Sequence, residues 1–290
     1  MIPPKGATDC HMHVLGPFAR FPLAAERAYN VAEASLEDHE RMKTRIGLER
    51  TVFVQASGHG FDNGAMLAAL ASLGPRARGV AVVPPDADLA QLHAKGVRGV
   101  RLNFLTLGSR HGADRAKVVR DYARLLAPLG WHLQVFADAQ TLLSMSNSIL
   151  ECQVPVVIDH MGLPDAAKGV DQPGFQAVLR LAAENHVWVK LAGADRITRT
   201  SGRLRDAVPY MRALAQVAPE RLVWGSDWPH IGFHSGTQVH GAEVLPFRAV
   251  DAAELLGVLA EAIPDTAAQR AILVGNPAKL YNFPREESGA

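Results

Sequence analysis

The chain has 290 residues, of which 48% are hydrophobic and 20% charged, and its formal net charge is +1. This composition is typical of a globular protein with a large buried core and excludes extensive disorder. Lys and Arg number 30 against 29 Asp and Glu, and no basic stripe interrupts the balance. We therefore expect neither nucleic acid nor a membrane surface as a partner.

The two cysteines, Cys10 and Cys152, belong to no Cys-x-x-Cys pattern, so neither a disulfide framework nor a cysteine zinc site is predicted. The first residues, "MIPPKGATD", lack the apolar segment of an export signal. No stretch approaches the ~18 apolar residues that a membrane helix needs. These features predict a cytoplasmic protein.

Short apolar runs recur along the chain and predict eight strands. In chain order they are "GATDCHMHV", "RTVFVQAS", "ARGVAVVP", "VRGVRLNFL", "HLQVFAD", "VPVVIDHM", "VWVKLAG" and "RLVWGSDW".

Segments with helical spacing separate these runs, and strands that alternate with helices indicate βαβ units and a parallel sheet. They include "SLEDHERMKTRIGL", "NGAMLAALASLG", "DLAQLHAKG", "RAKVVRDYARLLAPLG" and "GFQAVLRLAAENH". Eight units in a chain of this length favour a (β/α)8 TIM barrel, an α/β fold, as a single domain over residues 1–290. A doubly wound sheet is the alternative, but "HVLGPFARFP" after the first strand contains no Gly-rich phosphate loop.

The first strand carries Asp9, His11 and His13 at alternate positions. In a regular strand these three side chains share one face, opposite Cys10 and its alternate neighbours. The polar face can meet solvent or a polar cavity, and spacing alone leaves both interpretations open.

Active sites of barrels lie at the carboxyl ends of the strands, and polar residues collect at those positions here. Each has a structural alternative, such as a core histidine bonded to backbone or an Asp that caps a turn. Convergence of several charged residues on one mouth favours a site, because charged groups are seldom buried unless paired or functional. The candidates are His11, His13, Ser57, His59, Arg101, Asn103, His160, Lys190 and Asp227. By contrast, His39, His93, His132 and His186 are predicted to lie on solvated faces.

Five segments resemble the amidohydrolase superfamily, in the branch of 2-pyrone-4,6-dicarboxylate lactonase-like hydrolases. They are "TDCHMHVLGP", "VQASGHGFDN", "RGVRLNFL", "VIDHMGLPD" and "WGSDWPH", in the same order as in that branch. The resemblance implies hydrolysis of a carboxylated lactone. It further implies that Asp227 activates water, while His11, His13 and His160 stabilise the oxyanion.

Polar residues at the strand ends, together with the arginines retained in the resemblance, predict a substrate-binding set, and the metal stays open. The binding set comprises Arg101, Asn103, Arg196, Ser57, His59 and Lys190. We expect no required cofactor; the alternative is one zinc ion held by His11, His13, His160 and Asp227. Dinuclear members of the superfamily have a carboxylated lysine or a glutamate on strand four and a histidine on strand five. Here strand four has Arg101 and strand five has Gln134, so a dinuclear site is not expected.

The dicarboxylate lactonase has a tyrosine where this chain has Phe136, and arginines where it has Leu107 and Leu163. We therefore expect another carboxylated lactone as substrate, unless Arg110 or His111 replaces the missing arginines.

Two other functions stay open from the sequence: a zinc-dependent decarboxylase of the same superfamily and a non-catalytic ligand-binding barrel. The oligomeric state is not predicted.

Overall fold

The computed structural model describes residues 1–106, 114–233 and 243–284 and contains a parallel eight-stranded barrel. Neighbouring strands in the sheet follow one another along the chain, so the predicted (β/α)8 fold is confirmed. Leu107, Arg110 and His111 lie outside the described residues. The barrel strands are β1 (Thr8–Met12), β2 (Arg50–Val54), β3 (Ala77–Ala81), β4 (Val97–Asn103), β5 (His132–Phe136), β6 (Val156–Ile158), β7 (Val187–Leu191) and β8 (Leu222–Trp224).

A parallel bridge between Met12 and Trp228, which lies in the segment after β8, joins the end of the sheet to β1 and closes the ring. Helices follow the strands on the outside. Within the described ranges, no helix has both the length and the apolar character needed to cross a bilayer. The α-helices are Leu36–Arg45, Gly64–Leu73, Ala90–Ala94, Arg115–Leu126, Ala139–Ser144, Ser146–Leu150, Pro173–Ala182, Ala194–Ile197, Val208–Val217, Ala252–Ala262, Thr266–Arg270 and Asn276–Leu280.

Local chemistry explains where the outer helices begin. Ser35, Asp114 and Asp251 each precede a helix, and their side chains accept hydrogen bonds from backbone amides of its first turn. The apolar faces of these helices pack on outward strand residues such as Phe53 and Leu133, which are fully buried. The main core therefore lies between barrel and helices.

One apolar cluster lies inside the barrel, toward the end where the strands begin. Cys10 packs with valines of several strands, and Tyr281 and Phe283, which follow helix Asn276–Leu280, join this cluster. Phe283 contacts the guanidinium of Arg50, the first residue of β2, so the two aromatic rings close the end of the barrel where strands begin.

The regular alternation predicted for β1 is wrong. The register shifts between Asp9 and Met12, so one extra residue is inserted in β1 relative to β2. Asp9 points outward and meets His39 of helix Leu36–Arg45, with Nε2 3.2 Å from Oδ2. Cys10 instead joins the interior cluster. The bulge places His11 beside Lys190 inside the barrel.

Two of the histidines predicted to be solvated are buried. His39 is 0% exposed because it pairs with Asp9, and His132 is 1% exposed because its ring packs against Tyr281. His93 and His186 are half-buried, and each has a hydrogen-bond partner.

Candidate active site

Asp227 lies just after β8, with a left-handed φ of 63° that Asp tolerates better than most residues. Its Oδ2 accepts hydrogen bonds from Arg196 Nε at 2.6 Å and from Arg248 Nη2 at 3.1 Å. Its Oδ1 is buried and has no hydrogen-bond partner. The carboxylate is thus held at one oxygen and available at the other.

Two predicted histidines face the available oxygen. The Nε2 atoms of His11 and His160 each lie 3.8 Å from Asp227 Oδ1, and their ring centroids are 4.6 Å apart. His11 Nε2 has no hydrogen-bond partner either. The gap among these three atoms is where a reacting group can sit.

His13 joins the group through its ring, whose centroid is 5.0 Å from that of His11. Its Nδ1 lies 2.8 Å from the carbonyl oxygen of Val54. A carbonyl can only accept, so Nδ1 carries the proton and a neutral His13 presents a lone pair at Nε2. A neutral His13 with this contact therefore has no N–H at Nε2 to offer to an oxyanion.

Asp159 organises the layer beneath the histidines. Its Oδ2 accepts from Arg101 Nε and from Gln134 Nε2, both at 2.9 Å. Lys190 Nζ lies 3.7 Å from Oδ1 and donates to the Gln134 side-chain oxygen at 2.7 Å. His11 Nδ1 is 3.4 Å from Asp159 Oδ1.

Burial sets the charge states of these groups. It lowers the pKa of His13 to about 4 and that of His160 to about 3, so both are neutral near pH 7. For Asp227, burial opposes ionisation, but the guanidinium groups of Arg196 and Arg248 outweigh it and hold the pKa well below its usual range. Burial lowers the pKa of Lys190 to about 8.

The remaining predicted binding residues line adjoining segments. Asn103 donates to Ser57 Oγ at 2.8 Å, and its side-chain oxygen accepts two backbone amides after β4. Ser57 also bonds to the hydroxyl of Tyr29. His59 Nδ1 lies 3.1 Å from the carbonyl oxygen of Pro22, and its ring edge meets Phe18.

Three site residues were missed from the sequence. Asp159 directly precedes His160 in "VIDHMG", and its place at a strand end could have indicated it. Arg248 follows the short parallel sheet formed by Asn30–Val31 and Val244–Leu245, far from any motif. It also bonds Asp195, with Nε 2.7 Å from Oδ2, and only the folded chain places this pair beside Asp227.

One metal ion would find ligand atoms here. Atoms of His11, His160 and Asp227 lie within 4.8 Å of one another; the described residues that form this group do not include His13. The orphaned Oδ1 of Asp227 and Nε2 of His11 suit such a role. The surrounding Arg and Lys side chains oppose it electrostatically. A second group of possible ligands, Asp195, Asp227 and His230, shares Asp227 with the first. Arg248 forms ion pairs with both of its carboxylates.

The model of the family described as amidohydrolase matches residues 8–283. The chain is 37% identical to 4-sulfomuconolactone hydrolase from Rhizobium radiobacter, over 96% of this chain and 90% of that protein. It is 36% identical to 2-pyrone-4,6-dicarboxylate hydrolase from Comamonas testosteroni, over 98% of this chain and 92% of that protein.

A crystal structure of an apo protein from Agrobacterium tumefaciens superposes with a TM-score of 0.80 at 28% identity, covering 97% of both chains. The resemblance inferred from the sequence motifs is confirmed by these matches. The chain belongs to the amidohydrolase family, in the branch that contains these lactone hydrolases.

Proposed function

We propose that this protein hydrolyses the ester bond of a lactone, with Asp227 as general base. The observation that carries the proposal is the buried, unpartnered Oδ1 of Asp227, 3.8 Å from the Nε2 atoms of His11 and His160. A fixed, ionised carboxylate beside neutral ring donors is the arrangement that acyl transfer to water requires. The names of the two relatives, both lactone hydrolases, support the same reaction.

The proposed steps balance without a further reactant. Asp227 Oδ1 takes a proton from water as the water oxygen attacks the lactone carbonyl carbon. The carbonyl oxygen becomes an oxyanion, which N–H groups of His11 and His160 stabilise. Collapse breaks the ring C–O bond, and the proton on Asp227 passes to the departing oxygen. His13 Nε2 accepts a hydrogen bond and orients the water or a substrate hydroxyl.

We propose that the substrate carries an anionic group held by arginine. Arg101 uses Nε for Asp159, and its guanidinium carbon lies 4.7 Å from the ring centroid of Phe136. A guanidinium fork suits a planar carboxylate, and it also suits a sulfonate. The apolar Phe136 supports our expectation of a lactone other than the pyrone dicarboxylate, because an unpaired carboxylate against it would be costly.

Zinc chemistry is the second candidate mechanism, favoured by the grouping of ligand atoms described above. His11, His160 and Asp227 would hold the ion, which would polarise the carbonyl and acidify water. The basic side chains around Asp227 favour the metal-free mechanism.

A lactone panel with free-acid readout tests the function. It should include 4-sulfomuconolactone, 2-pyrone-4,6-dicarboxylate, a muconolactone and sugar-acid lactones, with elemental analysis of the same protein. We expect turnover of a lactone that bears one anionic group. No turnover across the panel would contradict the proposal. Zinc at one ion per chain would favour the second mechanism.

The role of Asp227 is tested by Asp227→Asn, which keeps the shape of the side chain but removes the basic oxygen. We expect kcat/KM below about a tenth of the wild-type value, a loss of more than about 1.4 kcal/mol. Asp121→Asn is the matched control, since Asp121 pairs with Lys117 on an outer helix. Near-wild-type kcat/KM in Asp227→Asn would remove Asp227 from the mechanism.

A further inference from the structure

Lys190 is a buried lysine that has no role in the proposed hydrolysis steps. Its side chain is 0% exposed and comes from β7, on the interior of the barrel beneath the histidines. Its ammonium donates to the carbonyl oxygen of Cys10 at 2.9 Å and to the Gln134 side-chain oxygen at 2.7 Å. Two of its three N–H groups are thus used, and one is left for a third acceptor.

The third partner of this ammonium is His11. Nζ lies 3.4 Å from His11 Nδ1 with hydrogen-bond geometry. Asp159 Oδ1 is also 3.4 Å from Nδ1, so the ammonium and the carboxylate compete for this nitrogen. An ammonium can only donate, so when Nδ1 is bonded to Lys190 it accepts, and a neutral His11 then carries its proton on Nε2.

We propose that Lys190 is a positioning residue that fixes the Nε2–H tautomer of His11 and so makes His11 an oxyanion donor rather than a metal ligand. This inference rests on the proposed lactone hydrolysis for its catalytic consequence. Nε2 then points an N–H toward the gap beside Asp227 Oδ1, 3.8 Å away. With Nε2 protonated, no lone pair is left there for an ion.

The neighbouring Asp159 explains why a lysine is needed. Without the ammonium, the ring proton of a neutral His11 would move to Nδ1, and this N–H would donate to Asp159 Oδ1, 3.4 Å away. That carboxylate–histidine pairing is the arrangement that typically accompanies a metal-ligating histidine. Lys190 therefore selects between two opposite roles for one ring.

The first test reads the tautomer directly in the wild-type protein. Labelling histidine with ¹⁵N and recording two-bond ¹H–¹⁵N correlations distinguishes a protonated Nε2 from a protonated Nδ1. His11→Asn assigns the signals by their absence. We expect Nε2–H for His11 and Nδ1–H for His13, whose partner is a carbonyl. Nδ1–H for His11 in the wild type would overturn the inference.

The second test uses Lys190→Met, with Lys43→Met as the matched control. Lys43 is also buried, 2% exposed, but pairs with Glu40 on an outer helix. In Lys190→Met we expect the Nδ1–H tautomer, kcat lower by roughly a hundredfold or more with a smaller change in KM, and tighter binding of added Zn²⁺. Lys43→Met should keep the wild-type tautomer and kcat even if it is less stable.

The outcomes separate this inference from the proposed function. An unchanged tautomer in folded Lys190→Met would overturn the inference whatever the activity. If Lys190→Met does not fold, the wild-type spectrum still decides. Absence of lactone turnover in the wild type, together with Nε2–H on His11, would refute the function and leave the tautomer assignment standing.

Discussion

At the scale of single residues, the site depends on which atoms are left without partners. Asp227 has one oxygen bound by two arginines and one free, and His11 has Nδ1 engaged and Nε2 free. Buried polar atoms without partners are costly, so such atoms at a strand end mark a place where substrate or water completes the bonding. The residue-scale prediction follows from the two arginines.

Arg248→Met should move the acid limb of the kcat/KM profile to higher pH. Arg248 is one of the cations that hold the pKa of Asp227 below its usual range, and removing a cation raises a carboxyl pKa. Activity that persists below about pH 4 in the wild type should then be lost at a higher pH in the variant. Arg205→Met, at an exposed ion pair with Glu261, is the control. Superimposable profiles would show that Arg248 does not act on Asp227.

At the scale of elements, the site depends on how closely β1 and β8 approach. The bulge in β1 brings His11 against Gly225, the residue after β8, and Asp227 N donates to the His11 carbonyl oxygen at 2.8 Å. Asp9 ties the same two strands, since Ser226 donates to it through both backbone and side chain. The bulge therefore orients His11, and Asp9 anchors the turn that carries Asp227.

Gly225→Ala tests this close approach. An added Cβ would lie 2.6 Å from both the Cβ and the backbone N of His11, so one strand must move. We expect a loss of about 1–3 kcal/mol in the free energy of unfolding and a fall in kcat, measured by denaturant unfolding and lactone turnover.

The matched control for that substitution is Gly257→Ala. Gly257 lies in helix Ala252–Ala262, and an added Cβ would meet nothing within 4 Å. We expect it to gain about 0.5–1 kcal/mol of stability without a change in kcat. Equal stabilities for the two glycine variants would contradict the close packing of β1 on β8.

The contact between helix Leu36–Arg45 and β1 should make stability depend on pH. Burial opposes protonation of His39, but the carboxylates of Asp9 and Glu40 outweigh it and raise its pKa above about 6.5. This contribution is fully present below the unfolded pKa and is lost as pH rises through the folded pKa. We expect the free energy of unfolding to fall above about pH 6.5 in wild type and to fall less in His39→Gln. Parallel curves would refute the linkage.

At the scale of the whole molecule, the barrel has an aromatic plug at one end and the candidate site at the other. Tyr281 and Phe283 fill the end where strands begin, and the histidines and Asp227 occupy the end where strands finish. Because parallel strands share a direction, all their carboxyl ends meet at one mouth, and a single plug at the other end suffices to exclude water.

Substitutions of Tyr281 test the plug. Its ring is 0% exposed, and its hydroxyl has no hydrogen-bond partner. Tyr281→Ala should therefore cost roughly 3–5 kcal/mol, whereas Tyr281→Phe should leave the free energy of unfolding unchanged or higher. Thermal and denaturant unfolding of both variants measure this. A large loss in Tyr281→Phe would show that the hydroxyl is bonded.

The sequence alone determined the fold and which candidate residues lie at the strand ends, because both depend on local patterns. The apolar runs predicted every barrel strand, since strand burial leaves a short-range signature in composition. His11, His13, His160 and Asp227 could be placed together because each follows or ends a strand, and parallel strands converge. The single-domain organisation over residues 1–290 stays a prediction.

Only the tertiary structure decided the direction and protonation of individual side chains. Asp9 was misplaced because a bulge depends on how two strands pair, which no single strand encodes. His39 and His132 are buried because residues distant in the sequence, Asp9 and Tyr281 respectively, pack against them. Arg248 reaches Asp227 through a pairing between Asn30–Val31 and Val244–Leu245. The tautomer of His13 follows from its contact with β2, and the tautomer that we propose for His11 from its contact with β7, because a ring nitrogen donates or accepts according to the atom that it meets.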